Sequence, residues 1–484
     1  MGLARGYRFV EAWGMSTGRC ARVLAPTSVD GIRAAFAEAR ASGVPLTLRG
    51  TGNSYGDASL PPPASDSAPS LVLDGSHMNR ILAFDEQTGI AEVEPGVTVR
   101  DLWRHSLPLG FWPRVVSGTS FPTIGGIAGA NIHGKNNFAV GTVGDAILEA
   151  DLVLPDGSVR TCSRERESDL FHAAVGSFGT LGVFSRLKLQ TKRVHSGELL
   201  VTTFAGHDLG ELMEFIQAHV GDADYLVGWI DAFARGDAIG RGQVHHARYL
   251  HEDEDPEPAR TLTLEHQELS PMVFGVFPKS ELWRVMRLLN HDSGVRFLNA
   301  VRYWQGRLEG ALAPRRWTHV EFAFLLDSVP NWKWSYGRTP GTGLIQFQPF
   351  VPKERAREVF SEILRRSQAR GCVPYLGVLK RHRPDPFWLT HAVDGWSLAL
   401  DYKVTPATRE ELFAFCRTLA ELVFEAGGRF YFAKDSILPR GALARMFSPE
   451  RLAAFFALKR ELDPENLLQT ELWRRIGDDQ SNFA

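Results

Sequence analysis

The sequence has 484 residues, of which 44% are hydrophobic and 23% charged, as is typical of a soluble globular chain with large cores and two domains. Its formal net charge of −2 argues against a nucleic-acid-binding protein, which usually carries an excess of basic residues. The four cysteines are far apart and form no C-x-x-C pair, which argues against a zinc site and favours a reducing compartment.

No targeting or membrane segment is recognisable. The N-terminus lacks the continuous apolar core of a signal peptide, and no apolar run is long enough to span a bilayer. We therefore expect a cytoplasmic protein that binds no metal and has no transmembrane segment.

Short elements separated by glycine-rich turns are predicted over residues 1–195. A helix begins near Ser28, has apolar residues at helical spacing through Ala39, and is ended by Gly43. The other predicted elements of this part are the strands Val44–Leu48, Leu71–Leu73, Ile81–Phe84, Ile90–Val93, Ala146–Leu154, Val159–Cys162 and Val183–Lys192, and the helices Thr98–Leu107 and Ser168–Ala174.

Three glycine-rich segments, Arg49–Asp57, residues 117–137 and Gly176–Gly182, are predicted to be loops. Glycine lets backbone N–H groups approach a bound group closely, and successive N–H groups form a concavity that binds anions. A diphosphate fits that description. The first segment is not the dinucleotide fingerprint, because Tyr55 stands where a third glycine is needed. The alternative for this segment is a hairpin or Ω-loop without a ligand.

Longer elements are predicted from residue 196 onward. The charged segment His251–Arg260 is interpreted as a mobile surface loop. The predicted strands are Tyr225–Asp231, Val320–Leu326, Leu344–Phe350, Val373–Leu379, Trp396–Tyr402 and Phe430–Phe432, and the predicted helices are Leu209–His219, Glu354–Arg370, Arg409–Ala426 and Pro449–Arg475. This mixture indicates an antiparallel sheet covered by helices on one face, and hence the α+β class.

The ordered series of motifs resembles the vanillyl-alcohol-oxidase/p-cresol-methylhydroxylase type of FAD-binding oxidoreductase. RGTGNSYGD and SGTSFPTIGGIAGANIHGKN are followed by DLVLPDGSVRTCS and DLFHAAVGSFGTLGVFSRLKL. The later segments NWKWSYGR, LIQFQPFVP, VLKRHRP, GWSLALDY and GGRFYFAKDS are similar to the subgroup that oxidises polyprenyl-phosphate sugars, the flavoprotein half of a polyprenyl-sugar epimerase. The resemblance covers essentially the whole chain.

The resemblance implies a domain organisation. A two-lobed FAD-binding domain would occupy residues 1–195, an inserted substrate-binding domain on an antiparallel sheet residues 196–434, and a C-terminal return to the FAD-binding domain residues 435–484.

The resemblance also implies which residues hold FAD. Backbone donors of the first two loops would bind the diphosphate, the third loop would lie along the adenine half, and the flavin ring would lie between the domains. The residues expected to bind FAD are Arg49, Thr51, Gly52, Asn53, Ser54, Tyr55, Gly118, Thr119, Thr123, Ile124, Gly125, Gly126, Asn131, His133, Gly134, Lys135, Gly179, Gly182, Val183 and Lys434.

The attachment of FAD is expected to be noncovalent. Many members of the family carry a histidine, joined covalently to the flavin, where this chain has Asn53, and an amide cannot form that bond. The second loop also has no cysteine for the other known linkage.

Lys434, His133 and Tyr55 are the candidate catalytic residues. Lys434 matches a lysine that relatives place beside the flavin, where an ammonium stabilises the negative charge of the reduced ring; the alternative is an ordinary surface lysine. His133 is expected either to orient the flavin or substrate or to transfer a proton, because imidazole titrates in the useful range. Tyr55 is expected beside the ring, where its role is chemical or only packing.

Five residues match positions that contact the polar end of the substrate in relatives: Tyr336, Gln346, Gln348, Lys380 and Ser397. Gln346 and Gln348 alternate on a strand and therefore point to one face, which suits hydrogen bonds to sugar hydroxyls. Relatives of the subgroup have an Asn-x-Cys pair where this chain has Ser397 and Ala399, so the flavin chemistry is expected to carry over better than the substrate.

These features predict an FAD-dependent enzyme that oxidises a secondary hydroxyl of a free or lipid-linked sugar to a ketone, with hydride transfer to flavin N5. The resemblance also implies that a short-chain dehydrogenase partner could complete an epimerisation. The alternatives are an alditol or aldonolactone oxidase acting on a small polyol and a flavin-containing sugar binder without turnover. The sequence does not determine the oligomeric state.

Overall fold

The first sheet is formed near the N-terminus and is mixed. The computed structural model describes residues 7–63, 70–273 and 275–477. The strands of this sheet are β1 (Tyr7–Glu11), β2 (Gly18–Leu24), β3 (Leu46–Arg49) and β4 (Leu71–Asp74), in the order β1-β2-β4-β3. Helix α1 (Val29–Ser42) connects β2 to β3 by a crossover, so these two strands run in the same direction. Strand β4 lies between them and is parallel to both. Ser28 caps α1 and Gly43, at φ 62°, ends it, as predicted.

The second sheet follows directly and is antiparallel. Its strands are β5 (Ile81–Phe84), β6 (Ile90–Val93), β7 (Phe111–Pro113), β8 (Ile147–Val153), β9 (Val159–Ser163) and β10 (Val183–Arg193). The order is β5-β6-β10-β8-β9, and β7 pairs with β10. The helices of this part are α2 (Val99–Ser106), α3 (Ile124–Gly129), α4 (Asn137–Val140) and α5 (Ser168–Ala174).

The third sheet has nine strands and lies within residues 198–430. Its strands are β11 (Glu198–Gly206), β12 (Tyr225–Ile230), β13 (Gly242–Tyr249), β16 (Arg315–Thr318), β17 (Gly343–Phe347), β18 (Pro349–Pro352), β19 (Leu376–His382), β20 (Gly395–Val404) and β21 (Arg429–Phe430). A separate hairpin joins β14 (Met272–Val273) to β15 (Phe277–Pro278). The helices are α6 (Leu209–Ala218), α7 (Pro258–Thr261), α8 (Leu264–Gln267), α9 (Leu282–Leu289), α10 (Asp292–Gly310), α11 (His319–Ala323), α12 (Lys353–Arg370) and α13 (Arg409–Glu425).

The last three helices, α14 (Ala442–Met446), α15 (Pro449–Leu462) and α16 (Glu471–Ile476), lead back to the first sheet. The backbone N–H of Leu46 donates to the carbonyl of Leu467 at 2.6 Å, and that of Gln469 donates to the carbonyl of Leu46. Trp473 is fully buried, and its ring packs near Phe178 and Phe432. The chain thus combines helices with three main sheets in which most strand pairs are antiparallel, consistent with the predicted α+β class. None of the helices in the described ranges is both long and apolar enough to cross a membrane.

Three predictions of secondary structure are wrong. Residues 319–323 form helix α11 instead of a strand, because the hydroxyl of Thr318 accepts from the N–H of Glu321 and caps the helix. Residues 117–137 are not loop throughout, because Thr123 caps the short helix α3. Residues 449–475 form two helices instead of one, with a turn held by Asp463, which accepts from the N–H groups of Leu467 and Leu468.

The segment His251–Arg260 is better anchored than a surface loop. Asp255 is 5% exposed and accepts hydrogen bonds from the hydroxyls of Ser196 and Thr261, and helix α7 begins at Pro258. Helices α9 and α10 have no counterpart among the predicted elements.

Candidate active site

A cavity of about 600 Å³ lies between the three glycine-rich segments and the nine-stranded sheet. Most of the residues expected to bind the cofactor or substrate line it: Arg49, Thr51, Gly52, Asn53, Ser54, Tyr55, Gly118, Thr119, Thr123, Gly125, Gly126, His133, Gly134, Lys135, Gly179, Val183, Gln346, Gln348, Lys380 and Lys434. The others lie outside its lining: Ile124, Asn131, Gly182, Tyr336 and Ser397. The fold therefore brings the three segments to one place.

The first loop is fixed at both ends and leaves its backbone donors free. The N–H of Tyr55 donates to the carbonyl of Ala433, and the carbonyl of Ser54 accepts from Trp13. Within residues 7–63, 70–273 and 275–477, the four N–H groups of residues 51–54 have no acceptor. A Cβ on Gly52, at φ 74°, would lie 2.0 Å from the Arg49 guanidinium, so only glycine fits this turn.

The second loop packs against the first. It is also held by Asp327, which follows helix α11 in the chain. A Cβ on Gly50 would lie 2.2 Å from the Thr123 hydroxyl, which shows how closely the two loops approach. The carboxylate of Asp327 accepts from the hydroxyl of Thr119 at 2.5 Å and from the N–H of Ser120 at 2.8 Å. The N–H groups of Gly118 and Thr119 find no acceptor in the described chain. Those of Ile124 and Gly125 donate instead to the carbonyls of Val97 and Pro95.

The third loop closes the far end of the cavity. The N–H groups of Gly176 and Phe178 donate to the carbonyls of Ala128 and Gly129 in the second glycine-rich segment. A Cβ on Gly179, at φ 78°, would lie 2.4 Å from the side chain of Leu48. The backbone of this loop therefore approaches strand β3 and the second segment more closely than side chains would allow.

The cavity is strongly cationic. Five of its described lining residues are basic and none is acidic: Arg49, Lys135, Arg302, Lys380 and Lys434. Burial lowers the pKa of Lys380 to about 8 and that of Lys135 to about 7. Such a concentration of positive charge in a low-dielectric space favours an anionic occupant.

Lys434 lies against Tyr55 at the centre of the cavity. Its ammonium is 3.3 Å from the centre of the Tyr55 ring, an arrangement in which the ring face attracts the cation. Burial lowers the pKa of Lys434 to about 7, while the charge of Asp401 opposes this shift and that of Lys380 adds to it. Tyr55 is buried, and burial raises its pKa well above 10, so its hydroxyl stays protonated.

Both ring nitrogens of His133 are hydrogen-bonded within the chain. The side-chain amide of Gln348 lies 3.1 Å from Nε2, and Nδ1 lies 3.0 Å from Nε2 of His391. An amide nitrogen only donates, so Nε2 of His133 accepts and the proton is on Nδ1, which donates to His391. Burial is the main cause that holds the pKa of His133 well below 6.5, and the positive charge of Lys380 acts in the same direction. The ring is therefore neutral and fixed in orientation.

Asp401 is a site residue that was not predicted from the sequence. It is fully buried on β20, and its Oδ1 accepts from the Gln346 amide at 2.5 Å. Its Oδ2 has no hydrogen-bond partner in the described part of the chain. Burial raises its pKa to about 6, although the Gln346 hydrogen bond and the charge of Lys434 act in the opposite direction. Ser397, Ala399 and Asp401 alternate along β20, so strand periodicity alone suffices to place Asp401 on their face.

Lys135 is held by helix α11. Its ammonium donates to the carbonyls of Phe322 and Ala323 and lies 4.6 Å from the centre of the Phe322 ring. Of the predicted substrate contacts, Ser397 is fully buried against His382, whose Nε2 is 2.7 Å from the Ser397 hydroxyl. Tyr336 packs in an apolar cluster with Tyr55, Trp332 and other apolar side chains.

The cavity fits a dinucleotide that carries a diphosphate. Backbone N–H groups without an acceptor in the described chain occur in two of the glycine loops. In the first of these loops, Gly50 and Gly52 leave no room for a Cβ. Basic side chains of the lining can neutralise the charge of a diphosphate. Much of the remaining lining is apolar and suits flat rings, as do Leu48, Met78, Val183 and Phe184. No group of three or more histidine, cysteine or acidic side chains in the described residues is arranged to hold a metal ion.

Comparison with known proteins agrees with this geometry. The profile of the FAD binding domain matches residues 20–163. The chain is 27% identical to the decaprenylphosphoryl-beta-D-ribose oxidase of Mycolicibacterium smegmatis over 472 residues, 96% of each chain. It is 30% identical over 394 residues to an uncharacterized protein of Streptomyces coelicolor, covering 79% of this chain and all of that one. It is 28% identical to the L-gulonolactone oxidase of Mus musculus over 205 residues, 42% of this chain and 43% of the relative.

The first two of these relatives match most of the chain, and the third matches less than half of it. The chain belongs to the family of FAD-binding oxidoreductases that its motifs resemble, and it is an FAD-dependent oxidoreductase acting on alcohol groups.

Proposed function

We propose that this enzyme oxidises a secondary hydroxyl of a sugar or lipid-linked sugar to a ketone. The observation that carries the proposal is that Gln346, Gln348, Lys380 and Lys434 line the same cavity as the glycine loops. Amides and ammonium groups are the donors that orient sugar hydroxyls and a phosphate. The similarity over 96% of the chain to an enzyme named for a decaprenylphosphoryl ribose supports the same substrate class.

We propose the domain arrangement 1–195, 196–434 and 435–484, with an FAD-binding domain of two lobes. It is supported by two separate sheets before residue 194 and a third sheet that lies entirely between residues 198 and 430. The backbone hydrogen bonds between Leu46 and residues 467–469 support a C-terminal return to the first lobe.

Bound FAD would supply the hydride acceptor, N5 of its ring. The residues of the chain would bind the cofactor and stabilise its charge. The backbone N–H groups of Thr51–Ser54, Gly118 and Thr119 would hold the diphosphate, and the ammonium of Lys434 would supply positive charge to stabilise the reduced ring. The substrate carbon loses a hydride, and its hydroxyl loses a proton, which we propose is released to water.

His133 is proposed to position other groups. Because both of its nitrogens are hydrogen-bonded and its pKa is well below 6.5, it holds Gln348 and His391 in fixed orientations. Gln348 in turn lines the cavity, where it is available to a substrate hydroxyl. A direct proton transfer by His133 would require one of these hydrogen bonds to break.

We propose that FAD is held without a covalent bond. Asn53 donates its amide to the hydroxyl of Thr51 at 2.8 Å and has no nucleophilic atom. No cysteine is among the described residues that line the cavity.

A smaller polyol is the second candidate substrate, favoured by the similarity to L-gulonolactone oxidase. That similarity covers only 205 residues, 42% of the chain. The similarity to the ribose oxidase covers 96% of the chain and therefore extends over more of the segment that forms the nine-stranded sheet. A short-chain dehydrogenase that reduces the ketone to an epimer, and a cytoplasmic location, stay predictions.

Anaerobic mixing of the FAD-loaded enzyme with candidate substrates tests the proposal. Polyprenyl-phosphate sugars, free pentoses and alditols are compared, and bleaching of the flavin absorbance reports oxidation. We expect bleaching with a lipid-linked or phosphorylated sugar, and product analysis should show a ketone. Bleaching by alditols alone would contradict the proposal in favour of the polyol oxidase.

A further inference from the structure

Large apolar side chains are concentrated on one outer surface of the substrate-binding part. Leu288 of α9 is 75% exposed, and Trp304 and Leu308 of α10 are 59% and 71% exposed. We call a set of exposed apolar residues of these two helices the apolar face; its members are Val285, Leu288, Phe297, Val301, Trp304 and Leu308. Single exposed apolar residues are ordinary, but a contiguous group of this size marks an interaction surface.

Helix α10 turns this face away from the protein. Phe297, Val301, Trp304 and Leu308 are spaced by four, three and four residues and share one side of the helix, over about three turns. The opposite side carries the buried residues Val295, Asn299, Tyr303 and Gly306. The helix is therefore anchored by a side of mixed polarity and presents its most apolar side to the outside.

Basic residues surround the apolar face. Residues 279–316 contain eight Lys and Arg and three Asp and Glu, a net charge of +5 in a chain whose net charge is −2. Arg287, Arg296 and Arg307 are exposed and have no carboxylate within 4 Å among the described residues. Arg296 and Arg307 flank the stripe of α10 on the same side. Arg296 and Arg307 lie over the rings of Phe233 and Trp304, but none of the three cations is neutralised by a carboxylate of the described residues.

The apolar face adjoins the cavity. Met286 of α9 and Arg302 of α10 line the cavity, whereas Val285 and Val301, one residue before them, belong to the apolar face. Leu325, which is 37% exposed, also lines the cavity. One pair of helices thus forms both a wall of the cavity and the outer apolar surface.

We infer that the apolar face inserts into the interface of a lipid bilayer with anionic headgroups, so that the enzyme works at a membrane surface. Trp, Phe and Leu flanked by arginine are the composition of segments that lie in the interfacial region, and uncompensated arginines attract anionic lipid. Aromatic residues and arginine are also enriched in protein interfaces, so two other observations favour lipid: the net charge of +5 over residues 279–316, and the position of the face beside a cavity proposed to take a lipid-linked sugar. The inference goes beyond the proposed reaction and places the cavity next to a lipid phase.

Vesicle sedimentation with the full-length, FAD-loaded enzyme tests the inference. The probe is vesicles of phosphatidylcholine and phosphatidylglycerol in equal parts, compared with phosphatidylcholine alone. We expect binding to the anionic vesicles that weakens with salt, because the headgroup attraction is screened. Trp304→Glu/Leu308→Glu should lower the bound fraction about tenfold or more, because each glutamate places a charge in the apolar interface.

Two further variants keep the result interpretable. Leu82→Glu changes a 44%-exposed leucine on β5, away from the apolar face, and should bind vesicles like the parent. Arg296→Glu/Arg307→Glu leaves the apolar side chains in place and should abolish the preference for anionic lipid. Retained flavin content shows that each variant is folded.

Any of three results would overturn the inference. The first is that the parent does not bind anionic vesicles, and the second is that Trp304→Glu/Leu308→Glu binds them equally well. The third is a parent dimer in solution that dissociates in Trp304→Glu/Leu308→Glu and does not bind vesicles, which would assign the face to a second copy of the chain. Because binding is measured without substrate, failure of the proposed oxidation would not affect this result.

Discussion

The carboxyl of Asp401 accepts a 2.5 Å hydrogen bond from the amide of Gln346, while its second oxygen has no partner within the described residues. Burial raises the pKa of Asp401 to about 6 and lowers that of Lys434 to about 7, and each charge opposes the other's shift. The two groups therefore titrate as a coupled pair. Lys434 and Gln346 both line the cavity, and Asp401 is linked to it through its hydrogen bond with Gln346.

Asp401→Asn should change how the reaction depends on pH. The substitution keeps an acceptor for Gln346 and removes the negative charge that raises the pKa of Lys434. The ammonium of Lys434 should then be lost at lower pH. We expect the fall of the flavin reduction rate on the basic side of the pH profile to move to lower pH by about half a unit or more, which corresponds to about 0.7 kcal/mol. Stopped-flow reduction across pH is the measurement.

Asp385→Asn is a matched control. Asp385 is partly buried and burial also raises its pKa, but its carboxyl accepts from Thr142 and Thr390, which do not line the cavity, whereas that of Asp401 accepts from Gln346, which does. A shift of equal size in both variants would show that the effect is structural, and an unchanged profile in Asp401→Asn would disconnect Asp401 from Lys434.

Gly126→Val should weaken FAD binding. Gly126 lines the cavity, and an added Cβ would already lie 2.9 Å from the Thr123 hydroxyl that caps α3. The larger side chain would enter the space where a cofactor approaches the backbone. We expect a loss of FAD affinity of about tenfold or more, equal to about 1.4 kcal/mol, in a titration of the apoprotein.

Gly221→Val controls for the effect of a valine on folding. An added Cβ at Gly221 meets nothing within 4 Å, and the residue is outside the cavity. Full FAD affinity in Gly126→Val would place the cofactor elsewhere, and a loss in both variants would point to general destabilisation. Gly125→Val is a poorer test, because its Cβ would lie 2.6 Å from Pro95, so the substitution would disturb packing as well.

Denaturation in acid should release the flavin completely. The amide of Asn53 has no nucleophilic atom to form such a bond, and no cysteine is among the cavity residues that the structure describes. Absorbance of the supernatant and of the precipitated protein is measured after acid treatment, and a covalent flavoprotein serves as the positive control. Yellow colour that remains with the precipitate would show that another residue forms a covalent bond.

The glycine loops were predictable because their signal is local. Glycine at positions 50, 52 and 179 is required by contacts and backbone angles that only glycine tolerates, and the same spacing of glycines indicated the loops from the sequence. The strands β19 and β20 and the helices α12 and α13 were predictable from apolar periodicity, to within a few residues at their ends.

The rest of the site depends on contacts between distant residues. Asp327 acts through Thr119 and Ser120, about 207 positions away, and no local pattern indicates that pairing. The orientation of His133 comes from Gln348 and His391, which lie on other parts of the chain. Helix α10 was missed although Phe297, Val301, Trp304 and Leu308 have helical spacing, and the sequence would have placed this apolar side in the core, whereas it faces outward. The usual rule that apolar periodicity marks the core does not apply there.

Lys434→Met should leave FAD bound and slow its reduction. The methionine keeps the length of the side chain and removes the cation that lies 3.3 Å from the centre of the Tyr55 ring. An ammonium about 4 Å from a negative charge contributes about 4 kcal/mol at an effective dielectric of about 20. Loss of half of that would slow reduction by about thirtyfold. The midpoint potential of the bound flavin should also fall, because the reduced, negatively charged form loses its counter-charge.

Lys333→Met is the matched control for this prediction. Lys333 also lies over an aromatic ring, 4.8 Å from the centre of Trp13, and its ammonium donates to the Trp13 carbonyl, but it does not line the cavity. We expect its variant to keep the parent potential and reduction rate. Stopped-flow reduction at saturating substrate and a redox titration are done on both FAD-loaded variants. A reduction rate in Lys434→Met within about threefold of the parent, under about 1 kcal/mol, together with an unchanged potential would remove Lys434 from the catalytic site.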